Sequence, residues 1–353
     1  MRKSGACILA YLFVPVIFFL ILFFNGCAAP KIKTSMLVPA KAHEAGKLRR
    51  IAVLPFAGNG GNQVSTEVEA LLVNIRVGGE PYFEVIERAS LEKILREQKL
   101  HLTGAVEEET AVTVGKLVGA EGIILGTVTT NIAEDKHFSQ KRSKCEARDE
   151  KKKCIKRRKY TVRCTTRDAY FSFTPKVINV TTGRIVACES LSGHIHDSVC
   201  QDSCRPLRGR AQMLGDAKRR AIQKFRELIA PYSVIAEITL LEKDDTKPPP
   251  KAKEKVARGI KWAKQGRLER ACEFWHEAYR LHPRGYVIHY LLGVCAETQG
   301  KLQKALEYYD KADRMTGSPV KEINTALGRV RVSLEKRKKL EEQLQIKKQK
   351  SSP

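Results

Sequence analysis

Acidic residues and aromatics are both scarce in this chain. Only 39 Asp and Glu stand against 64 Lys and Arg, giving a formal charge of +25, and aromatic side chains make up 7%. The excess of cations would suit nucleic acid, but no aromatic-rich binding motif accompanies it, so nucleic acid is not an expected partner. Catalytic constellations are missing as well. The glycines of GNGGN (Gly58–Asn62) lack dinucleotide-loop spacing, and Gly115-Lys116 is followed by Leu117 with no Gly five residues before it, so neither cradles a phosphate. His194, His196 and Asp197 lie close in sequence without a nucleophile motif. A metal set drawn from His194, His196, Cys200 and Cys204 lacks the paired spacing of zinc sites. The expectation is a non-enzymatic protein with no catalytic residue, no metal and no cofactor.

One long apolar run is present, from Ala6 to Phe24, with Arg2 and Lys3 before it and Asn25-Gly26-Cys27 after it. A basic head, an apolar middle and a small residue before the cut make an export signal. Pro15 interrupts the run, and ~17–25 apolar residues are the usual spanning range, which favours a cleaved signal over a membrane helix. Gly26-Cys27 resembles a bacterial lipobox, although Phe24 stands where Leu is preferred. The resemblance implies a signal peptide at 1–26 and acylation (palmitate) of Cys27, and Ala28 implies delivery to the outer membrane, facing the periplasm. Residues 27–48 hold Pro30, Pro39, Gly46 and several Lys, so they read as a tether.

A chain of 353 residues is long enough for two domains at ~100–200 residues each. The first is expected at 49–243. IAVLPF (Ile51–Phe56) is a buried strand ended by a Gly-rich loop, and Val64, Val68, Leu71, Leu72 and Ile75 follow at helical spacing. YFEVIE (Tyr82–Glu87) is a second strand, followed by a helix carrying Leu91, Ile94, Leu95 and Gln98. Another helix opens on Glu107–Glu109, where acids suit the dipole, and ends at Gly119. GIILGTV (Gly122–Val128) is the third strand. Strands alternating with helices indicate an α/β layer. After an insertion, Ala169–Val180 and Gly183–Gly193 form a hairpin turning at Thr182-Gly183. From Gln212, Leu214, Ala217, Ala221, Phe225 and Leu228 recur at helical spacing until Pro231 stops the helix, and Ser233–Leu241 is expected as the closing strand of a sheet of about six.

VIERASLEKILREQ (Val85–Gln98) and GKLVGAEGIILGTV (Gly115–Val128) resemble the two best-marked stretches of the CsgG-like lipoprotein family, over roughly Arg50 to Leu241. That family contains the curli secretion channel, and related folds occur in lipoproteins that activate penicillin-binding proteins. The resemblance implies a mixed-sheet, three-layer α/β domain facing the periplasm and brings no catalytic residues with it.

The insertion at 131–168 departs from the family. Between Lys136 and Arg167, fourteen Lys and Arg face only Glu146, Asp149 and Glu150. From Ile155 to Thr166 one alternating face reads Ile, Arg, Lys, Thr, Arg, Thr and the other Lys, Arg, Tyr, Val, Cys, Thr. Each Arg or Lys on a lipid face near the midplane costs ~2–4 kcal/mol, so neither face suits a membrane barrel. The stretch 136–167 suits an anionic lipid or polymer, or it is a solvated hairpin with no ligand. Cys145, Cys154, Cys164, Cys188, Cys200 and Cys204 form an even set, expected as disulfides in an oxidising compartment with connectivity open.

EKDDTKPPPKAKE reads as an extended Pro-rich linker at 244–254. Beyond it, at 255–353, Gly259, Gly266, Leu268, Ala271, Trp275 and Ala278 recur 34 residues later as Gly293, Gly300, Leu302, Ala305, Tyr309 and Ala312. Period and residue types resemble the tetratricopeptide repeat, which implies an all-α domain. Gly259, Gly293 and the alanines are expected to let helices approach, with Trp262, Gly266, Gly300, Trp275 and Tyr309 in the same packing. A capping helix follows at 320–346 with Ile323, Leu327, Val330 and Leu334 on one face. Cys272 and Cys295 are a further bridge or small buried residues. Such an array implies an envelope or secreted protein as partner. Three roles follow: an outer-membrane assembly or secretion scaffold, a ring-forming channel component (a homo-oligomer), or an activator of a peptidoglycan synthase.

Overall fold

A computed structural model describes residues 29–87, 91, 93 and 107–350, with side chains through Leu344. The signal at 1–26, Cys27, and Ile94, Leu95 and Gln98 of the expected second helix lie outside the described residues. In chain order the strands are β1 (Lys31–Val38), β2 (Arg50–Val53), β3 (Arg76–Val77), β4 (Glu80–Pro81), β5 (Glu84–Val85), β6 (Gly122–Arg148), β7 (Cys154–Asn179), β8 (Ile185–Cys188), β9 (Leu191–Cys200) and β10 (Tyr232–Thr239). The helices are α1 (Gly61–Asn74), α2 (Glu108–Leu117), α3 (Arg210–Ile229), α4 (Pro250–Lys264), α5 (Leu268–Leu281), α6 (Tyr286–Thr298), α7 (Leu302–Met315) and α8 (Lys321–Lys350). The chain divides into two compact units. One comprises Leu37–Ser233 with Lys336–Pro353, and the other comprises residues up to Met36 with Val234–Glu335.

The first unit is built on a mixed six-stranded sheet in the order β5-β2-β6-β7-β8, with β9 also paired to β7. Its β2 runs parallel to β5 and β6, while β7 is antiparallel to β6, β8 and β9. Side chains alternate across a strand, so IAVL buries on both faces. Ile51 and Val53 pack with Val64, Val68 and Leu72 of α1 and with Met213, Ala217, Ala221 and Phe225 of α3. Ala52 and Leu54 face the other way, onto Ala111 and Val114 of α2 with Ile123, Leu125 and Ile178. The result is the expected three layers.

Several expectations are corrected. The insertion at 131–168 is not a separate element: β6 and β7 run through it as one continuous antiparallel ladder, from Gly122↔Asn179 to Arg148↔Cys154. Strand hydrogen bonds are backbone bonds, so a run of exposed charge continues a strand that an apolar pattern would have ended. The hairpin turn at Thr182-Gly183 stands, with Gly183 at φ 67°, but the run after it splits into β8 and β9. The expected strand Tyr82–Glu87 shortens to β5, because Tyr82 and Phe83 leave the ladder to bury, Tyr82 donating its hydroxyl to the Gly46 carbonyl at 2.5 Å.

The closing strand is corrected too. β10 pairs with β1 in a two-stranded sheet of its own, outside the main sheet, although the count of about six strands stands. The segment 27–48 is therefore no free tether: Ile32, Val38, Ala40, Ala45 and Leu48 are buried. In β1 polar residues are as many as apolar ones, and only a partner strand makes it recognisable. Ile238 and Leu240 pack with Ile32 into the core of the helical unit, which places the domain boundary at Ser233/Val234 rather than 243/244. Last, the linker 244–254 is structured. α4 starts at Pro250, in the first turn where a missing N–H leaves no bond unmade, and Pro248 is buried.

The second unit stacks two helical hairpins, α4–α5 and α6–α7, followed by α8, around a core of Trp275, Leu291, Tyr290, Tyr309 and Ile323. α6 is buried nearly all round, from Tyr286 to Glu297, as the central helix of such a stack must be. Among the described residues, no helix is long and apolar enough to cross a membrane.

Candidate functional site

β9 covers β7 only as far as Cys164↔Cys200. Beyond that pair β6 and β7 continue as a bare two-stranded ribbon, roughly 30 Å long at ~3.3 Å per residue. Such a ribbon is marginal in water. Two disulfides hold it: Cys164–Cys200 joins it to β9 at the base, and Cys145–Cys154 closes the tip. The tip turn places Lys152 at φ 61°, and Asp149 Oδ1 accepts the Lys153 amide at 2.8 Å. The expected third bridge is absent, since Cys188 and Cys204 are exposed thiols. Cys188 lies on β8 opposite Lys176, while Cys204 follows the turn after β9.

The ribbon's charges sort by face. Register places Lys141 opposite Thr161, Ser143 opposite Lys159 and Cys145 opposite Arg157, so Arg157, Lys159, Arg163 and Lys141 share one face, and two register shifts interrupt the ladder between Arg157 and the tip, where Ile155 lies. The other face holds the acids. Glu146 pairs with Lys156 at 3.7 Å and Arg158 at 3.8 Å, and Asp202 takes both Arg142 Nη1 (2.7 Å) and the Tyr160 hydroxyl (3.0 Å).

At the base the charges are locked. Asp135 accepts Arg167 Nε and Nη2, each at 2.7 Å, and Arg210 adds a third contact at 2.8 Å. Arg167, then Arg210, holds the Asp135 carboxyl well below its ordinary range. Asp197 is buried, bound by Arg205 at 2.6 Å and by the Arg208 amide at 2.9 Å, and is pulled down to about 2, chiefly by Arg205. On the opposite face Asp168 Oδ1 meets His194 Nε2 (2.7 Å) and His196 Nδ1 (2.9 Å), which lower its pKa. An open cleft of about 600 Å³ lies beside the Cys164–Cys200 bridge, lined by His137, Phe138, Arg163 and Leu207 among others. Among the described residues no three ligand-type side chains gather to hold a metal, and Cys200 of the set His194, His196, Cys200 and Cys204 is in a disulfide. Sequence reasoning missed Asp135 and Asp168, which flank the basic stretch, and noted Asp197 only as a neighbour of His194 and His196, without its arginine partner.

In the second unit the repeat residues divide into three kinds. Gly259 lies against the Trp275 indole and Gly293 against the Tyr309 ring, with no room for a Cβ. Ala271, Ala278, Ala305 and Ala312 are fully buried between the helices. Gly266 (φ 76°) and Gly300 (φ 73°) are corrected from packing to turn residues, since nothing stands near a Cβ at Gly266 and both sit between paired helices in left-handed backbone. Trp262 is corrected too: it is 37% exposed, under the Arg267 guanidinium. Cys272 and Cys295 form a third disulfide, joining α5 to α6. A buried ion pair adds to it, with Glu297 accepting Arg329 Nε at 2.7 Å and the Tyr309 hydroxyl at 2.7 Å.

The family described as curli production assembly/transport component CsgG matches residues 49–204, so this part of the chain is a CsgG-like domain. The match ends at Cys204 and includes the whole ribbon. Among solved structures, the LpoB C-terminal domain of Salmonella enterica is 10% identical, over 43% of this chain and 94% of that one, with a TM-score of 0.26. Lipoprotein GNA1162 of Neisseria meningitidis is 13% identical, over 48% and 91%, with a TM-score of 0.27. The PelC dodecamer of Paraburkholderia phytofirmans is 13% identical, over 57% and 99%, with a TM-score of 0.23. No curated protein matches the chain.

Proposed function

We propose that the protein is a lipid-anchored envelope scaffold without enzymatic activity, held at the outer membrane through Cys27 and facing the periplasm. Its helical unit, a tetratricopeptide-type array, binds a second envelope protein in assembly or secretion. The observation that carries the reading is the CsgG-like match at 49–204 in a chain that also holds a stack of helical hairpins. Three disulfides agree with an oxidising compartment. Stacked helical hairpins present a curved surface to peptides and partner proteins.

Two measurements test it. Metabolic lipid labelling of the wild type and of Cys27→Ser should show label only in the former, and label in both rejects the anchor. Photo-crosslinkers at the exposed Tyr279, Met315 and Val332 of the helical unit should each trap the same envelope protein. Crosslinks arising solely from Val73 on α1 would move the binding surface to the other unit.

A further inference from the structure

The ribbon segregates its charge by face, and the unneutralised face leads to a tip that carries an exposed apolar side chain. Ile155 is 66% exposed, beside the tip bridge Cys145–Cys154. Behind it, past the register shifts at the tip, Arg157, Lys159 and Arg163 share one face with Lys141 of the neighbouring strand, Arg157 and Lys159 being ~7 Å apart as alternate strand residues. None of these four cations has an ion-pair partner among the described residues, while Glu146 and Asp202 are spent on Lys156, Arg158 and Arg142. Lys151, Lys152 and Lys153 crowd the turn above Ile155. An internal role would have paired these cations, and a merely solvated ribbon needs neither the sorting by face nor an isoleucine at its end.

We infer that the ribbon tip docks on the surface of an anionic bilayer, with Ile155 seated at the boundary of headgroups and acyl chains and the tip lysines and the cations of the unneutralised face lying over lipid phosphates. An apolar side chain framed by Lys and Arg fits an interface whose outer layer is anionic and whose next layer is apolar. A soluble polyanion would use the cations and gain nothing from Ile155. The tip disulfide and the ladder hold these groups in place before contact, so docking orders little that is not already ordered. The contact is peripheral: charge on both faces keeps the ribbon out of the hydrocarbon. This docking does not depend on the partner-binding reading of the helical unit.

The experiment uses the chain from residue 28 onward, which keeps every described residue and removes acylation as a source of binding. Co-sedimentation is measured with phosphatidylcholine vesicles and with equimolar phosphatidylcholine and phosphatidylglycerol vesicles. Binding is expected to the anionic vesicles alone and to disappear in high salt. Replacing Arg157, Lys159 and Arg163 together by Gln should weaken it on the order of a hundredfold at low salt, by removing three phosphate-facing cations. Replacing Lys144, Lys156 and Arg158 by Gln on the other face should weaken it far less, and Ile155→Ser several-fold. Non-reducing mass mapping of both ribbon disulfides confirms that each variant is folded. Equal losses from the two triple variants overturn the inference. So does binding to soluble polyphosphate as tight as to vesicles and unaffected by Ile155→Ser.

Discussion

At the scale of single residues, the positions without side chains matter most in the helical unit. A Cβ at Gly259 would run into the Trp275 indole, whose Nε1 donates to the Val256 carbonyl at 3.3 Å and so fixes the ring. Gly259→Ala should therefore cost about 1–3 kcal/mol through overpacking, beyond the ~1 kcal/mol that Ala gains over Gly in a helix. Gly266→Ala should also destabilise, by strain at positive φ, while leaving the core packing of Trp275 untouched. Urea unfolding of both variants separates the two costs, because near-ultraviolet dichroism of Trp275 should change only in the first. The 34-residue recurrence made Trp275 and Tyr309 legible. It could not distinguish Gly259 from Gly266, since one glycine is selected by a neighbouring ring and the other by its own backbone.

Asp197 carries the clearest dependence on pH. Its carboxyl is held near 2 by Arg205, against an ordinary value of 3.8. A depressed carboxylate pKa contributes stability that is fully present above the ordinary value and is lost as the pH falls through the folded value. Asp197→Asn should therefore be less stable than the wild type at pH 7, with the gap closing between about pH 4 and pH 2. Urea midpoints across that range measure it. A gap that persists unchanged at pH 2 would show that the carboxylate charge is not what binds Arg205 and the Arg208 amide.

At the scale of elements, the ribbon explains how much of the fold a sequence can disclose. Helices α1, α2 and α3 each bury a periodic apolar face and β2 is a continuous apolar run, and such patterns are what reading detects. β6 beyond Thr130 and β7 before Ala169 bury little on either face, so no period marks them; their partner is each other. β1 fails for a related reason. Half of its residues are polar, and it is stabilised by β10, a strand some two hundred residues distant in sequence. Four of the six cysteines expected as disulfides are bonded, and their pairing followed from structure that the sequence does not show: Cys164 and Cys200 are direct cross-strand partners. If the tip bridge holds the ribbon, replacing Cys145 and Cys154 by Ser should speed amide exchange across 139–163 by more than tenfold, the loss of a ~2 kcal/mol local constraint. Exchange in α1, α3 and β2 should stay unchanged. Slow exchange in the ribbon of that variant would mean that the ladder alone suffices.

At the scale of the whole molecule, the charge on the ribbon separates this chain from a channel with the same domain. A strand in a barrel needs ~9–11 residues with one apolar face. Between Cys154 and Cys164 one face presents Arg157, Lys159 and Arg163 and the other Lys156, Arg158 and Tyr160. At ~2–4 kcal/mol per midplane cation, either face would cost several kcal/mol for each copy placed in a bilayer, before any gain from closing a ring. The full-length acylated protein, reconstituted into planar bilayers, should therefore leave conductance at the baseline, at low salt and with phosphatidylglycerol present, the conditions under which the tip docks. The ribbon variant with Arg157, Lys159 and Arg163 replaced by Gln should behave the same way. Stepwise conductance from the wild type that disappears in this variant would place the ribbon across the membrane, and the scaffold reading would give way to a pore.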